Sequence, residues 1–209
     1  MIIAIDGPAG VGKGTLAKRL AAHFGLHHLD TGSLYRGVGR DVLAAGHNPA
    51  DPGAATAAAR SLDPATLADP RLRAEDVAAA ASVVAAIPEV RRALLEFQRS
   101  FAHRLPGAVL DGRDIGTVIC PEAEVKLFVD ARPEVRAARR WRELRGRGVA
   151  IDLAQVLAEI YERDERDRKR SAAPLAAAPD ATVLDTSDLD ADAVFALALK
   201  TIGMRGKSG

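Results

Sequence analysis

Five short apolar runs along the chain each end on an acid: Ile2–Asp6, Leu26–Asp30, Ala108–Asp111, Val125–Asp130 and Thr182–Asp185. Their shortness and β-branched content predict buried strands. Between them, apolar positions recur at helical spacing in longer stretches rich in Ala, Arg and Leu. These predict helices over Lys13–Phe24, Leu34–Ala45, Val90–His103, Glu134–Arg145, Leu153–Arg170 and Ala191–Ile202. Strands alternating with helices predict an α/β fold, a five-stranded parallel sheet flanked by helices with right-handed crossovers. Such a sheet puts its working residues at the carboxyl ends of the strands, where the terminal acids fall.

Two stretches break the rhythm. His47–Arg73 is rich in Pro, Gly, Ala and Asp and predicts a loop with short helices. Arg145-Gly146-Arg147-Gly148 interrupts a basic helical pattern and reads as a hinge or the tip of a lid. The tail Gly203–Gly209 is expected to fray. A length of 209 residues suits one domain. Hydrophobic residues make up 48% and charged residues 27%, which excludes a disordered chain, a collagen-like fibre and a disulfide-stapled miniprotein. Lys and Arg number 29 against 28 Asp and Glu, so nothing in the balance calls for a nucleic-acid polymer or an anionic membrane. The longest apolar stretch, Val77–Ile87, is too short to span a bilayer. An acid, Asp6, falls where a signal peptide would continue its apolar run. The single cysteine, Cys120, precedes Pro121, has no internal disulfide partner and suits a reducing compartment. A cytoplasmic protein is expected.

The strongest chemical signal is Gly7-Pro8-Ala9-Gly10-Val11-Gly12-Lys13-Gly14-Thr15, between the first strand and the first helix. That is the context a phosphate-binding P-loop requires. Glycines let backbone N–H groups curl around a polyphosphate, the helix N-terminus adds partial positive charge, and Lys13 reaches the outer phosphates. Gly14 displaces the usual hydroxyl by one place to Thr15, which is expected to meet Mg²⁺ directly or through water. The Gly-Lys-Gly-Thr ending suits small-molecule and nucleoside-monophosphate kinases better than GTPases. A guanine-reading Asn-Lys-x-Asp motif is excluded, because the only asparagine is Asn48, followed by Pro49.

A phosphotransferase also needs cations for its acceptor. The second strand runs into Asp30-Thr31-Gly32-Ser33-Leu34-Tyr35-Arg36, and Arg36 suits an acceptor phosphate because a planar guanidinium binds phosphate through two parallel bonds. The third strand runs into Asp111-Gly112-Arg113-Asp114-Ile115-Gly116-Thr117, either a solvated salt-bridge turn or part of a site.

These blocks, with Glu162-Arg163-Asp164-Glu165-Arg166-Asp167-Arg168-Lys169-Arg170 and the residues after it, resemble bacterial cytidylate kinases in the same order from about Ile3 to Ala198. The resemblance implies a P-loop nucleoside-monophosphate kinase fold and transfer of the γ-phosphoryl group of ATP to CMP and dCMP. It implies that Asp114, Ser82, Arg91 and Arg170 frame the base. Asp167, with Arg163 beside it, would take the ribose, and Arg36 and Arg113 the acceptor phosphate. Thr31 and Tyr35 belong to the same acceptor set. The helical reading puts Arg163, Asp167 and Arg170 on one face; the other arginines of that stretch read as a solvated surface. Arg139 matches best the lid position from which related kinases supply a cation to the transferring phosphoryl. Lys13, Arg113, Arg139 and Arg163 are therefore the candidate catalytic cations.

The expected organisation is one domain over residues 1–209, a reduced monophosphate-binding insert around 47–104 and a small lid around 139–165. Many relatives have a longer insert with a small sheet, and His47–Arg73 carries no strand signal. A monomer is expected. Two other readings stay open at this level: a P-loop kinase for another nucleotide or metabolite, and a nucleotide-binding module with little chemistry. His23, His27 and His28 lack metal-site spacing and read as structural. Trp141 is expected to pack or to lie on the lid surface.

Overall fold

A computed structural model describes residues 1–205. Five strands, β1 (Ile2–Asp6), β2 (His27–Asp30), β3 (Ala108–Gly112), β4 (Val125–Asp130) and β5 (Thr182–Asp185), form one sheet in the order β2-β3-β1-β4-β5. Every neighbouring pair is parallel. The central strands are buried on both faces, so they read as continuous apolar runs rather than as alternating ones. Their side chains still alternate between two cores. Ile2, Ala4 and Leu110 face one with Leu34, Val38 and Leu94. Ile3, Ile5 and Val109 face the other with Leu16, Leu20 and Ala198.

The helices on those faces are α1 (Lys13–Phe24), α2 (Thr31–Ala44), α3 (Pro52–Arg60), α4 (Glu75–Val84), α5 (Pro88–Ala102), α6 (Pro133–Gly146), α7 (Leu153–Lys169) and α8 (Ala191–Arg205). α2 begins three residues before the expected Leu34, directly on the end of β2. Ser33 Oγ donates to the Asp30 carbonyl there, and no turn residues separate strand from helix. Among the described residues, the stretch 47–73 contains α3 and two single-turn 3₁₀ helices and no strand. Asp51, Asp63 and Asp69 cap these by accepting backbone N–H groups, each just before a proline. The C-terminal helix continues through Arg205, so Gly203 is helical rather than frayed; the last part of the expected tail lies outside the described residues.

α6 and α7 form a hairpin with a small core of its own, Ala137, Leu144, Val156 and Ile160, flanked by Trp141. Trp141 Nε1 donates to the Ile151 carbonyl at 3.0 Å, which ties the segment between the two helices back to α6. The histidines are structural: His28 Nε2 lies 2.8 Å from Asp111 Oδ1, His27 Nε2 2.9 Å from the Leu105 carbonyl, and His23 packs edge-on against Phe24 and Phe195. Cys120 is fully buried, and burial pushes its thiol up to about 12. A thiol probe at neutral pH is expected to label it only on unfolding; rapid labelling of the native protein would contradict this.

Candidate active site

All five strands run in the same direction, so Asp6, Asp30, Asp111, Asp130 and Asp185 fall along one edge. A cleft of about 460 Å³ opens at that edge between the loop after β1, the start of α2, α4, the turn after β3 and α7. The loop Gly7–Gly12 is packed too closely for side chains at two positions. A Cβ on Gly7, at φ +146°, would stand 2.0 Å from the Val129 carbonyl oxygen, and one on Gly10, at φ +80°, 3.2 Å from Arg136 Cβ. Lys13 opens α1 with its ammonium buried and donating to the Pro8 carbonyl at 2.6 Å. Burial, then Arg113 nearby, drives its pKa well below the ordinary lysine range.

The cleft brings together Lys13, Lys18, Arg36, Arg91, Arg113, Arg163 and Arg170 against Asp30, Asp111, Asp114, Glu143 and Asp167. The cations exceed the carboxylates, an imbalance that attracts anions. Arg36 Nη2 holds Asp30 at 2.5 Å, and Arg113 Nε holds Asp167 at 2.9 Å. Burial opposes the charge on Asp167, but Arg113 and Arg163 keep its pKa below the usual range. Arg91 donates to Asp114, and Arg170 Nη2 lies 3.5 Å from the other Asp114 oxygen. Tyr35 packs beneath this cluster, its ring 5.3 Å from the Arg91 guanidinium carbon. Arg163 stands out. It is half-buried, its buried Nε has no hydrogen-bond partner among the described residues, and burial followed by repulsion from Arg113 lowers its pKa to about 10. A buried guanidinium with a free donor is a receptor for an anion.

Thr31, Tyr35, Arg36, Ser82, Arg91, Arg113, Asp114, Arg163, Asp167 and Arg170 all line this cleft. Ala9, Gly10, Gly12, Lys13, Gly14 and Thr15 line it from the P-loop side, whereas Gly7 and Pro8 do not line it and Val11 faces a second cavity. Three sequence expectations need correction. Arg139 does not reach the cleft: its guanidinium donates to the carbonyls of Thr186 and Leu189 at 2.6 and 3.2 Å, beside the second cavity. Arg170 is not on the helical stripe, because α7 ends at Lys169 and Arg170 is already extended, at φ −60° and ψ 140°. Arg166 is not merely solvated: it donates to Ser82 Oγ at 2.7 Å.

Other site residues escaped sequence reasoning. Asp6 accepts the Ile115 and Gly116 amides, each at 2.8 Å. Arg136 and Asp164 form a buried pair behind the P-loop. Lys18 follows the P-loop by one helical turn, a spacing that could have flagged it. The other partners are too far apart in sequence to leave a local signal.

The oxygen donors suit a hard divalent cation carried in by phosphates. Thr15 is exposed and lines both cavities. Asp111 Oδ2 faces the P-loop, 4.0 Å from where a Gly14 Cβ would stand. Among the described residues no group of three or more acidic, His or Cys side chains could hold a metal alone. That fits an ion held by one or two protein oxygens, substrate phosphates and water.

The family model described as cytidylate kinase matches residues 3–204. A cytidylate kinase of Rhodopseudomonas palustris is 59% identical over 97% of this chain and 96% of its own length. One of Nitrobacter winogradskyi is 59% identical over 100% and 99%, and one of Methylocella silvestris 62% identical over 95% and 92%. A crystal structure of an uncharacterized protein from Eubacterium ventriosum shares the fold at a TM-score of 0.56 and 18% identity, over 98% of both chains.

Proposed function

The chain belongs to the cytidylate kinase family, and from that premise we propose how its cleft carries out the family's reaction. The enzyme is an ATP-dependent phosphotransferase that transfers the γ-phosphoryl group to CMP and dCMP. One observation carries the assignment of residues: the P-loop and the Arg91–Asp114–Arg170 cluster line a single cleft, with Arg163 unpartnered at Nε between them.

ATP phosphates lie in the P-loop, cradled by its amides and by Lys13. The second cavity, lined by Val11, Leu16, Arg139 and Leu189, suits the flat nucleobase of ATP. Family members use ATP with a divalent metal; here Mg²⁺ would be held by the nucleotide with Thr15 and Asp111, and it neutralises charge on the phosphates when bound. CMP lies across the cleft. Asp114 accepts from the exocyclic amine of cytosine, while Arg91, Arg170 and Ser82 serve its carbonyl oxygen and ring nitrogen. Arg36 and Arg113 take the CMP phosphate. Each now holds a carboxylate, Asp30 or Asp167, which the phosphate displaces. Freed from Arg113, Asp167 turns to the ribose hydroxyls.

Arg163, rather than Arg139, supplies its unpaired donor to the phosphoryl in flight. The transition state spreads charge over the phosphoryl oxygens, so positioning and fixed cations suffice. No general base is needed, because the attacking phosphate oxygen of CMP is already anionic. Residues 47–104 act as the monophosphate-binding insert and 139–165 as a lid. Arg140 reaches Glu75 at 2.5 Å and Arg147 donates to the Arg73 carbonyl at 2.7 Å, contacts that close the lid over the acceptor side and exclude water. The reading is completed by a monomeric cytoplasmic enzyme; no helix among the described residues is long and apolar enough to cross a membrane.

The test is ADP release from Mg·ATP with CMP, dCMP, UMP, AMP or no acceptor. Release with CMP and dCMP well above the other three is expected. Equal release with UMP would overturn the role of Asp114, since uracil offers a carbonyl where cytosine offers an amine.

A further inference from the structure

Asp6 is the last residue of β1 and is 4% exposed. Its backbone leads directly into Gly7 of the P-loop. Its side chain crosses to the neighbouring strand end, where Oδ1 accepts the Ile115 amide and Oδ2 the Gly116 amide, both at 2.8 Å. Those amides open a wide helical turn, Ile115–Ile119, immediately after Asp114, whose own backbone is neither helical nor extended, at φ −146° and ψ 26°. No strand pairing holds that turn, because β3 ends at Gly112. The carboxylate anchors the start of the turn to the end of β1, while Arg99 holds its far end through the Val118 and Ile119 carbonyls and Arg91 holds the Asp114 side chain. A carboxylate accepting two successive amides fixes both the distance and the rotation of the turn, which one acceptor cannot do.

We infer that Asp6 is a positioning residue for acceptor recognition: it sets the register of the base-reading turn against the ATP-binding loop without touching either nucleotide. The inference rests on the reading of Asp114 as the cytosine reader. It separates two properties that a merely structural carboxylate would move together, affinity for CMP and affinity for ATP.

Asp6→Asn keeps shape and one acceptor oxygen but turns an NH₂ toward an amide N–H. Titration of the variant with CMP and, separately, with ATP is expected to show CMP affinity weakened about tenfold or more, as for a lost charge-assisted bond, and ATP affinity changed less than twofold. The preference for CMP over UMP should narrow in the same variant. Unchanged CMP affinity, or equal losses for both nucleotides, would overturn the inference. A wild-type protein that does not prefer CMP to UMP would instead overturn the reading of Asp114.

A second measurement uses the wild-type protein and covers the case of a variant that does not fold. Burial raises the Asp6 pKa to about 6, opposed by the Gly116 and Ile115 amides, reinforced by Asp114 on the turn and opposed again by Lys13 on α1, with Cys120 and the Lys126 stem flanking it. Lys126 Nζ is committed to Asp180 and the Pro121 carbonyl. Below that pH the neutral group accepts less well. The Ile115 and Gly116 amide resonances should then shift with a midpoint near 6, and affinity for cytidine 5′-sulfate, whose own charge is constant there, should fall with them. Flat amide shifts, or shifts with constant affinity, would overturn the inference.

Discussion

Replacing Lys13 with alanine is expected to slow phosphoryl transfer from ATP to CMP by about a hundred- to a thousandfold, the range seen when one preorganised donor to a developing charge is lost. Lys13 is buried, so its ammonium acts in a site where water competes little. Its pKa is pushed down by burial and by Arg113, so the ligand-free protein stabilises the charge poorly. A bound triphosphate reverses that balance by bringing negative charge to the ammonium. The same argument predicts the stability effect. Nζ bonds one carbonyl, that of Pro8, and no carboxylate, so truncation removes a disfavoured buried charge and the melting temperature should hold or rise. Single-turnover transfer and a thermal melt on one preparation check both halves. Near-normal turnover would remove Lys13 from the mechanism, and a collapsed melt would make its role structural.

The fold was legible because sequence period and burial agree. The five apolar runs became the five strands to within a residue at each end, since a parallel sheet covered on both faces needs uninterrupted apolar segments. The P-loop was legible because its chemistry is local: glycines, lysine and helix start lie within nine consecutive residues. The acceptor residues were reached through resemblance rather than spacing. Ser82, Arg91, Asp114 and Arg170 come from four separate elements, α4, α5, the turn after β3 and the end of α7, which only the folded chain brings to one cleft. Arg139 shows the limit. Its helix is dense in arginines, and sequence could not tell which one the helix face would turn toward the cleft. Backbone carbonyls of Thr186 and Leu189, some fifty residues away, capture it instead. The short 47–73 stretch departs from the longer insert that the family resemblance implies. The end-to-end matches show that curated relatives have nearly the same overall length as this chain.

Breaking the pair behind the P-loop should have the largest effect on stability. Arg136 is 1% exposed and Asp164 3%; they meet through two parallel bonds of 3.0 and 2.6 Å. Arg136 also donates to the Ala131 carbonyl at 2.9 Å and the Ala9 carbonyl at 3.2 Å, tying α6, α7 and the P-loop at one point. Asp164→Ala leaves a guanidinium in the interior with two carbonyls and no counter-charge, a loss of about 3–5 kcal/mol. For a chain of this length that lowers the melting temperature by about 2–4 °C per kcal/mol, or about 6–20 °C in all. The double variant Arg136→Met with Asp164→Leu removes both charges and fills the space, so most of the lost stability should return. That recovery identifies the unpaired charge, not the missing attraction, as the source of the loss. It follows from the cost of taking two ions out of water, which their mutual attraction only roughly offsets. A single variant as stable as the wild type would mean that water reaches the pair. A double variant no better than the single would mean that the bonds to Ala9 and Ala131, which only Arg136 can make, hold the hairpin to the P-loop.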